Sequence, residues 1–384
     1  MAASAGKADV AFINPRVLTW LVDDGGVSRA SVADTLKVTI DQLTSWETPG
    51  GAHPPFAKAQ ALAKALRIPF GYLFLSRPPN RDLPLPDFRK FDKTYKPSAN
   101  LVELLNDVLV KRDWYRDYLL AQNAEQLKFA GAFSSNDSIT TVADDIRDVL
   151  GLTSEFRAGI RDWADHVSRL AHQAENARIL VMRSSVVGNL TNRPIAPSEM
   201  QGFAVADDLA PIVFVNSADF KAAQVFTLAH ELAHVWIGQS GIDNPDETKP
   251  GQNQVEGFCN RVATELLVPT NAFRAGWRLR SPEANLERLV RQFWVSAFVI
   301  LRRARELDVI STAEYLRLKD TESTKIAKGR AGGGDYYRNV NARMGSRFTD
   351  AVLSEVMRGT LTFRDGARLV GVKVPTLVKM TETK

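Results

Sequence analysis

Residues 226–238 read Phe-Thr-Leu-Ala-His-Glu-Leu-Ala-His-Val-Trp-Ile-Gly, and inside them lies the pattern H-E-x-x-H. Phe226, Leu228, Leu232 and Val235 recur at helical spacing, and Gly238 stands where such a helix would stop. On an α-helix four residues advance about 400°, so His230 and His234 leave one face a single turn apart. Two of the chain's five histidines thereby come within reach of one metal ion, in apolar surroundings. Glu231 lies about 100° round the helix, beside that ion.

Zinc is the expected occupant. Imidazole nitrogens suit it, and a catalytic zinc takes three protein ligands and keeps a fourth position for water. Bound zinc brings the pKa of water from about 15.7 to about 7. Glu231 can then take the remaining proton and deliver it to a leaving amine, so the implied reaction is hydrolysis of a peptide bond. The plainer alternative is a buried amphipathic helix whose histidines only satisfy local hydrogen bonds.

The third ligand must come from elsewhere, and Asp243, Asp246, Glu247, Glu256 and Cys259 follow closely. The first three fall in a run rich in Gly, Asn and Pro, 238–251, that reads as a loop. Residues 254–267 form a helical pattern in which Glu256, Asn260, Ala263 and Leu267 share a face. Glu256 is therefore preferred. A Cys259 thiolate is conceivable, although a lone cysteine more often serves as a small buried apolar residue. Glu265, roughly opposite on the wheel, reads as solvated.

FTLAHELAH at 226–234 together with VEGFCNRVATELLVP at 255–269 resembles the ImmA/IrrE family of zinc metallopeptidases. The resemblance implies a zincin-like fold, one catalytic zinc on His230, His234 and Glu256, and Glu231 as general base. It places Cys259 where the family usually has a small residue. It extends to QGFAVADDLAPIVFVN at 201–216, similar to the family's strand pair before the metal helix. By the same resemblance Ile212, Val213, Phe214 and Val215 are candidates for an edge strand that pairs with substrate backbone; an interior strand with no substrate role is the alternative.

Length and composition suit an intracellular enzyme. The chain has 384 residues, 45% of them apolar, enough for two or three cores. One cysteine excludes an intramolecular disulfide framework. The first ten residues lack an apolar signal core, and no run of about 18 apolar residues could span a membrane, so a cytoplasmic location without membrane association is expected. The net charge of +5 is unevenly placed: from Ser311 onward fourteen Lys or Arg face eight Asp or Glu.

Upstream, 31–36, 39–46 and 56–66 read as short helices, broken by Gly25-Gly26 and by 49–55. They resemble an XRE-type helix-turn-helix module, with Trp46-Glu47 closing the recognition helix. Its exposed candidates include Asp41 and no Arg or Lys, a poor endowment for phosphate contacts. DNA binding and docking on another helix-turn-helix protein both remain compatible. Residues 70–91 are too rich in proline for a helix or a central strand and read as an ordered tether. Helices are expected over 101–124, 140–150 and 154–174. His166 and His172, six apart, read as structural or solvated, and His53 sits in a turn.

A small sheet begins at 178–187 and continues at 202–205 and 211–216. Residues 286–307 and 312–318 add a helical layer, 329–334 (GRAGGG) reads as a linker, and 362–377 has the pattern of a compact helix-turn-helix. The basic tail is a candidate for nucleic acid or an acidic partner, or else a packing element over the active-site rim.

The fold expectation is α+β: a mostly helical, zincin-like domain with a small mixed sheet over 128–325, a helical helix-turn-helix domain over 1–78, a tether and long helix over 79–127, and a helical region over 335–384. Two functions are compatible. One is a zinc endopeptidase that cuts a specific intracellular protein, a helix-turn-helix repressor by resemblance, to release stress or mobile-element genes. The other is a non-proteolytic regulator that uses the zincin frame as a scaffold and binds DNA or a partner. Tyr315, Tyr336, Tyr337, Arg278 and Arg302 are all available to stabilise an oxyanion, and the sequence does not choose among them. It leaves oligomeric state open as well.

Overall fold

Short helices at the N-terminus owe their limits to caps. Ser28 accepts from the Ser31 amide to open α2 (Arg29–Leu36), and Lys37, in the left-handed region at φ 52°, ends it. Thr39 and Gln42 form a reciprocal capping box that opens α3 (Ile40–Glu47) only three residues later. With α1 (Pro15–Asp24) and α4 (Phe56–Leu66) these helices enclose Leu18, Leu21, Val32, Leu43, Trp46 and Leu62. Glu47 is buried and paired with Arg29 at 3.0 Å. This is the core of one unit, Met1–Leu83 with Thr94–Glu103; the other comprises Pro84–Lys93 and Leu104–Lys384.

The computed structural model describes residues 9–24, 28–66, 68–78, 83–86, 97–243, 254–278, 281–326 and 343–383. The Gly25-Gly26 break, residues 79–82 and 87–91 of the tether, Asp246 and Glu247, the 329–334 linker, and Tyr336 and Tyr337 lie outside them. No helix among the described residues is long and apolar enough to cross a membrane.

The second unit is mostly helical around a four-stranded mixed sheet, so the α+β expectation holds. Strands β1 (Leu180–Ser184), β2 (Gly202–Val205), β3 (Ile212–Asn216) and β4 (Gly241–Asp243) lie in the order β1-β3-β2-β4. β1 runs parallel to β3, while β2 is antiparallel to both β3 and β4. Every residue of β3 is buried, as expected of an unbroken apolar run covered on both faces.

This corrects the substrate-strand expectation. Ile212, Val213, Phe214 and Val215 are interior: both edges of β3 are taken by β1 and β2, and no main-chain donors remain for a peptide. β4, which the loop reading of 238–251 missed, is the edge strand on that side, and its Ile242 amide donates to the Pro86 carbonyl at 2.9 Å.

Helix α9 (Lys221–Trp236) lies against β2 and β3, with α8 (Trp163–Asn176) and α10 (Gln254–Leu267) packed on it and α6 (Ile139–Leu150) beside α10. From Gln224 to Trp236 every residue of α9 is buried. The single helix expected over 154–174 is two: α7 (Ser154–Ala158) ends at Gly159, and Asp162 caps α8 anew by accepting from the Asp165 amide. Trp294 in the left-handed region and Ser296 as N-cap likewise divide 286–307 into α12 (Pro282–Phe293) and α13 (Ala297–Glu306). α11 (Thr270–Gly276), not foreseen, precedes them, and α14 (Thr312–Ile326) follows.

The C-terminal helices Ser346–Arg358, Phe363–Val370 and Val374–Glu382 pack together. They are fastened to the rest of the unit by Glu175 of α8, which accepts from Ser346 Oγ at 2.6 Å and from the Arg347 amide at 3.3 Å. Phe348 adds an edge-on contact with Trp114 of α5 (Ala99–Ala121), ring centroids 5.6 Å apart.

Candidate metal centre

A helix buried on all sides has no cheap place for polar groups, yet α9 carries Thr227, His230, Glu231 and His234 there. Its start is fixed by side chains that bond the backbone. Asn216, at the end of β3, donates to the carbonyls of Ile195 and Met200, and Gln224 donates to those of Ser217 and Asp219. At the far end Trp236 Nε1 donates to Asp145 of α6 at 2.7 Å, and Gly238 turns the chain away at φ 67°.

His230 and His234 meet as their spacing implies, with Nε2 atoms 3.0 Å apart. Glu256, from the first turn of α10, reaches both: Oε2 lies 3.2 Å from His230 Nε2, and Oε1 lies 3.4 Å from His234 Nε2. All three residues are at most 2% exposed. Cys259 is fully buried in the apolar cluster shared by α9 and α10, which fits its reading as a small core residue.

The chemistry of this donor set can be tested against a metal. Ligand atoms about 2.0–2.2 Å from a tetrahedral zinc are roughly 3.3 Å from one another, and the three separations here are 3.0, 3.2 and 3.4 Å. Two imidazoles with ring nitrogens face to face beside a carboxylate suit a shared cation, since each neutral ring offers only one N–H. The residues present fit the group.

Glu231 is fully buried and stands against the sheet. Gly202 of β2 makes room for it: a Cβ there would lie 2.7 Å from Glu231 Oε1, 2.5 Å from Thr227 Cγ2 and 3.0 Å from the Phe214 carbonyl oxygen. Sequence reasoning passed over Gly202, although an isolated glycine in a strand is the usual sign of close approach to its backbone.

Arg302 of α13 donates to Asn260 Oδ1 at 3.0 Å, one turn beyond Glu256, and lies 4.9 Å over the Phe226 ring, one turn before His230. Among the described residues offered for an oxyanion, it is the one braced by both α9 and α10. A cavity of about 310 Å³ opens along the same turn of α9, lined by Phe220, Ala223, Phe226, Thr227, Val299 and Arg302 among others.

Two histidine readings and one glutamate reading can be placed. His166 is buried, its Nδ1 2.9 Å from the Trp294 carbonyl, and burial holds its pKa below the usual value. His172 lines a separate polar cavity. Glu265 is not solvated: it is 5% exposed, pairs with Arg303 at 2.9 Å, and accepts from the Thr270 amide and hydroxyl. Single-helix geometry could not reveal that α13 covers that side of α10.

Residues 174–305 match the family model of the IrrE N-terminal-like domain, Peptidase_M78, which supports a metallopeptidase domain of that type there. The match spans the sheet, both metal-bearing helices and most of α13. Residues 344–383, the C-terminal helices, match a domain of unknown function, DUF8813. A search of curated proteins finds no match to the chain.

Proposed function

We propose that the chain is a zinc endopeptidase in which His230, His234 and Glu256 hold one zinc ion and Glu231 is the general base. The observation that carries this reading is the convergence of the two imidazoles and the α10 carboxylate at zinc-ligand separations, with Glu231 buried one residue from His230. When bound, zinc supplies Lewis-acid activation of water, lowering its pKa to about 7. Glu231 takes the proton of the attacking water and returns it to the leaving amine, in a space left open by the absence of a Cβ at Gly202. Arg302, oriented by Asn260 and by the Phe226 ring, is the candidate to stabilise the tetrahedral oxyanion. The cavity beside Phe226 receives an apolar side chain of the substrate.

The substrate is a specific intracellular protein, a helix-turn-helix repressor, brought in by the N-terminal unit. That role is favoured over DNA binding because the exposed residues of α3, Ile40, Asp41, Gln42 and Thr44, present no cation. The XRE-type identity of this unit rests on its sequence pattern and on the capped turn between α2 and α3. A non-proteolytic scaffold would have no use for a carboxylate buried at Gly202.

The test is co-incubation of the native chain and Glu231→Gln with candidate helix-turn-helix repressors, one encoded beside it where the genome has one, with mass spectrometry of the products. The native chain should yield two fragments from a single bond. Glu231→Gln should be slower by about 10²–10⁴ while still folded and zinc-loaded. Equal cleavage by the variant would remove Glu231 from the mechanism.

A further inference from the structure

A second cavity, about 730 Å³, lies where the first turn of α9, the end of β1, α8 and the first C-terminal helix come together. Its charge is lopsided. Arg183, Lys221, Arg343 and His172 line it, and the one carboxylate among its described lining residues, Glu175, is already engaged by Ser346 and Arg347.

Arg183 is the informative member. It is the one partly buried residue of β1, where Leu180, Val181, Met182 and Ser184 are buried. Its guanidinium makes no hydrogen bond or ion pair with any described residue and lines the cavity. Burial lowers its pKa, and Glu175 opposes that only in part. Lys221 donates to the neutral Gln224 Oε1 at 3.2 Å; its pKa is lowered by burial and then by Arg183 itself. Arg343 donates to the neutral Asn189 Oδ1. Three cations thus line one cavity whose one described carboxylate is Glu175.

We propose that this cavity binds a small phosphate-bearing ligand, held by Arg183, Lys221 and Arg343. A planar guanidinium fork, an ammonium and the hydroxyls of Ser185 and Ser217 match the several oxygens of a phosphate better than the two of a carboxylate. The volume suits a ligand up to nucleotide size. Such a ligand touches both the helix that carries His230 and His234 and the C-terminal helices, and so ties the DUF8813 segment to the metal helix. The inference stands apart from the zinc reading.

Calorimetric titration of the full chain with inorganic phosphate, pyrophosphate and adenosine monophosphate, at constant ionic strength set with chloride, tests it. Saturable binding of at least one is expected, weakened tenfold or more by Arg183→Gln and by Lys221→Gln and unchanged in Glu231→Gln. Tighter binding of the nucleotide than of phosphate or pyrophosphate would assign the site to a nucleotide-like ligand, and the reverse order to a free phosphate species. Lys221 opens α9 and is more exposed than Arg183, so its substitution keeps the test open if Arg183→Gln fails to fold. No saturable binding by any of the three compounds, or an affinity that neither substitution changes, overturns the proposal.

Discussion

Single atoms decide whether the proposed base is in position. Gly202→Ala would set a methyl group against Glu231, Thr227 and the β3 backbone, and the backbone oxygen of Phe214 is the neighbour least able to yield. The expected outcome is a stability loss of about 1–3 kcal/mol from overpacking and a fall in turnover of about 10²-fold from a displaced base. Zinc content should be retained, and unchanged turnover in a folded Gly202→Ala protein would free Glu231 of its link to β2. His166 supplies a pH dependence. Held neutral by burial beside the Trp294 carbonyl, it has a folded pKa below the value of about 6.5 it takes when unfolded. Below pH 6.5 the unfolded state therefore binds more protons, so this contribution to stability is present above 6.5 and is lost as pH falls toward the folded value. Urea unfolding at pH 7.5 and 5.5 should show a smaller acid loss in His166→Gln than in the native chain; an equal loss would contradict it.

At the scale of elements, α10 joins the centre to the helical layer behind it. Its inner face presents Glu256 to the histidines, and the other side gives Glu265 to Arg303 and to the amide that opens α11. Glu265→Ala would leave Arg303 buried with one partner fewer and the Thr270 amide without its acceptor. A loss of about 3–5 kcal/mol in denaturant unfolding is expected, as for other broken buried pairs, and a loss below about 1 kcal/mol would show that the pair does not hold this layer together. Periodicity made α9 and α10 legible, because their apolar spacing and the flanking Gly238 are local signals. What was not legible is non-local. The burial of Glu265 needs α13, the interior place of β3 needs β1 on its other edge, and β4 has only three residues in a Gly- and Pro-rich stretch. The division of α7 from α8 was a capping effect, Asp162 competing with an otherwise continuous apolar stripe.

Over the whole chain, the sequence pattern carried the ligand set further than the architecture around it. His230 and His234 could be paired from their spacing, and Glu256 preferred to Cys259 from helix faces and a family resemblance, whereas Gly202, the Asn260–Arg302 contact and the Arg183–Lys221 cavity arise only when distant segments meet. The basic tail, seen in sequence as an excess of charge, is fastened to α8 through Glu175 and to α5 through Phe348, so part of its role is packing. The most direct test of the account is the metal content of purified protein by elemental analysis. It predicts about one zinc per chain in the native protein and in Glu231→Gln, and loss of that zinc in folded His230→Ala and Glu256→Ala. Zinc retained at full stoichiometry in both of those variants would contradict it.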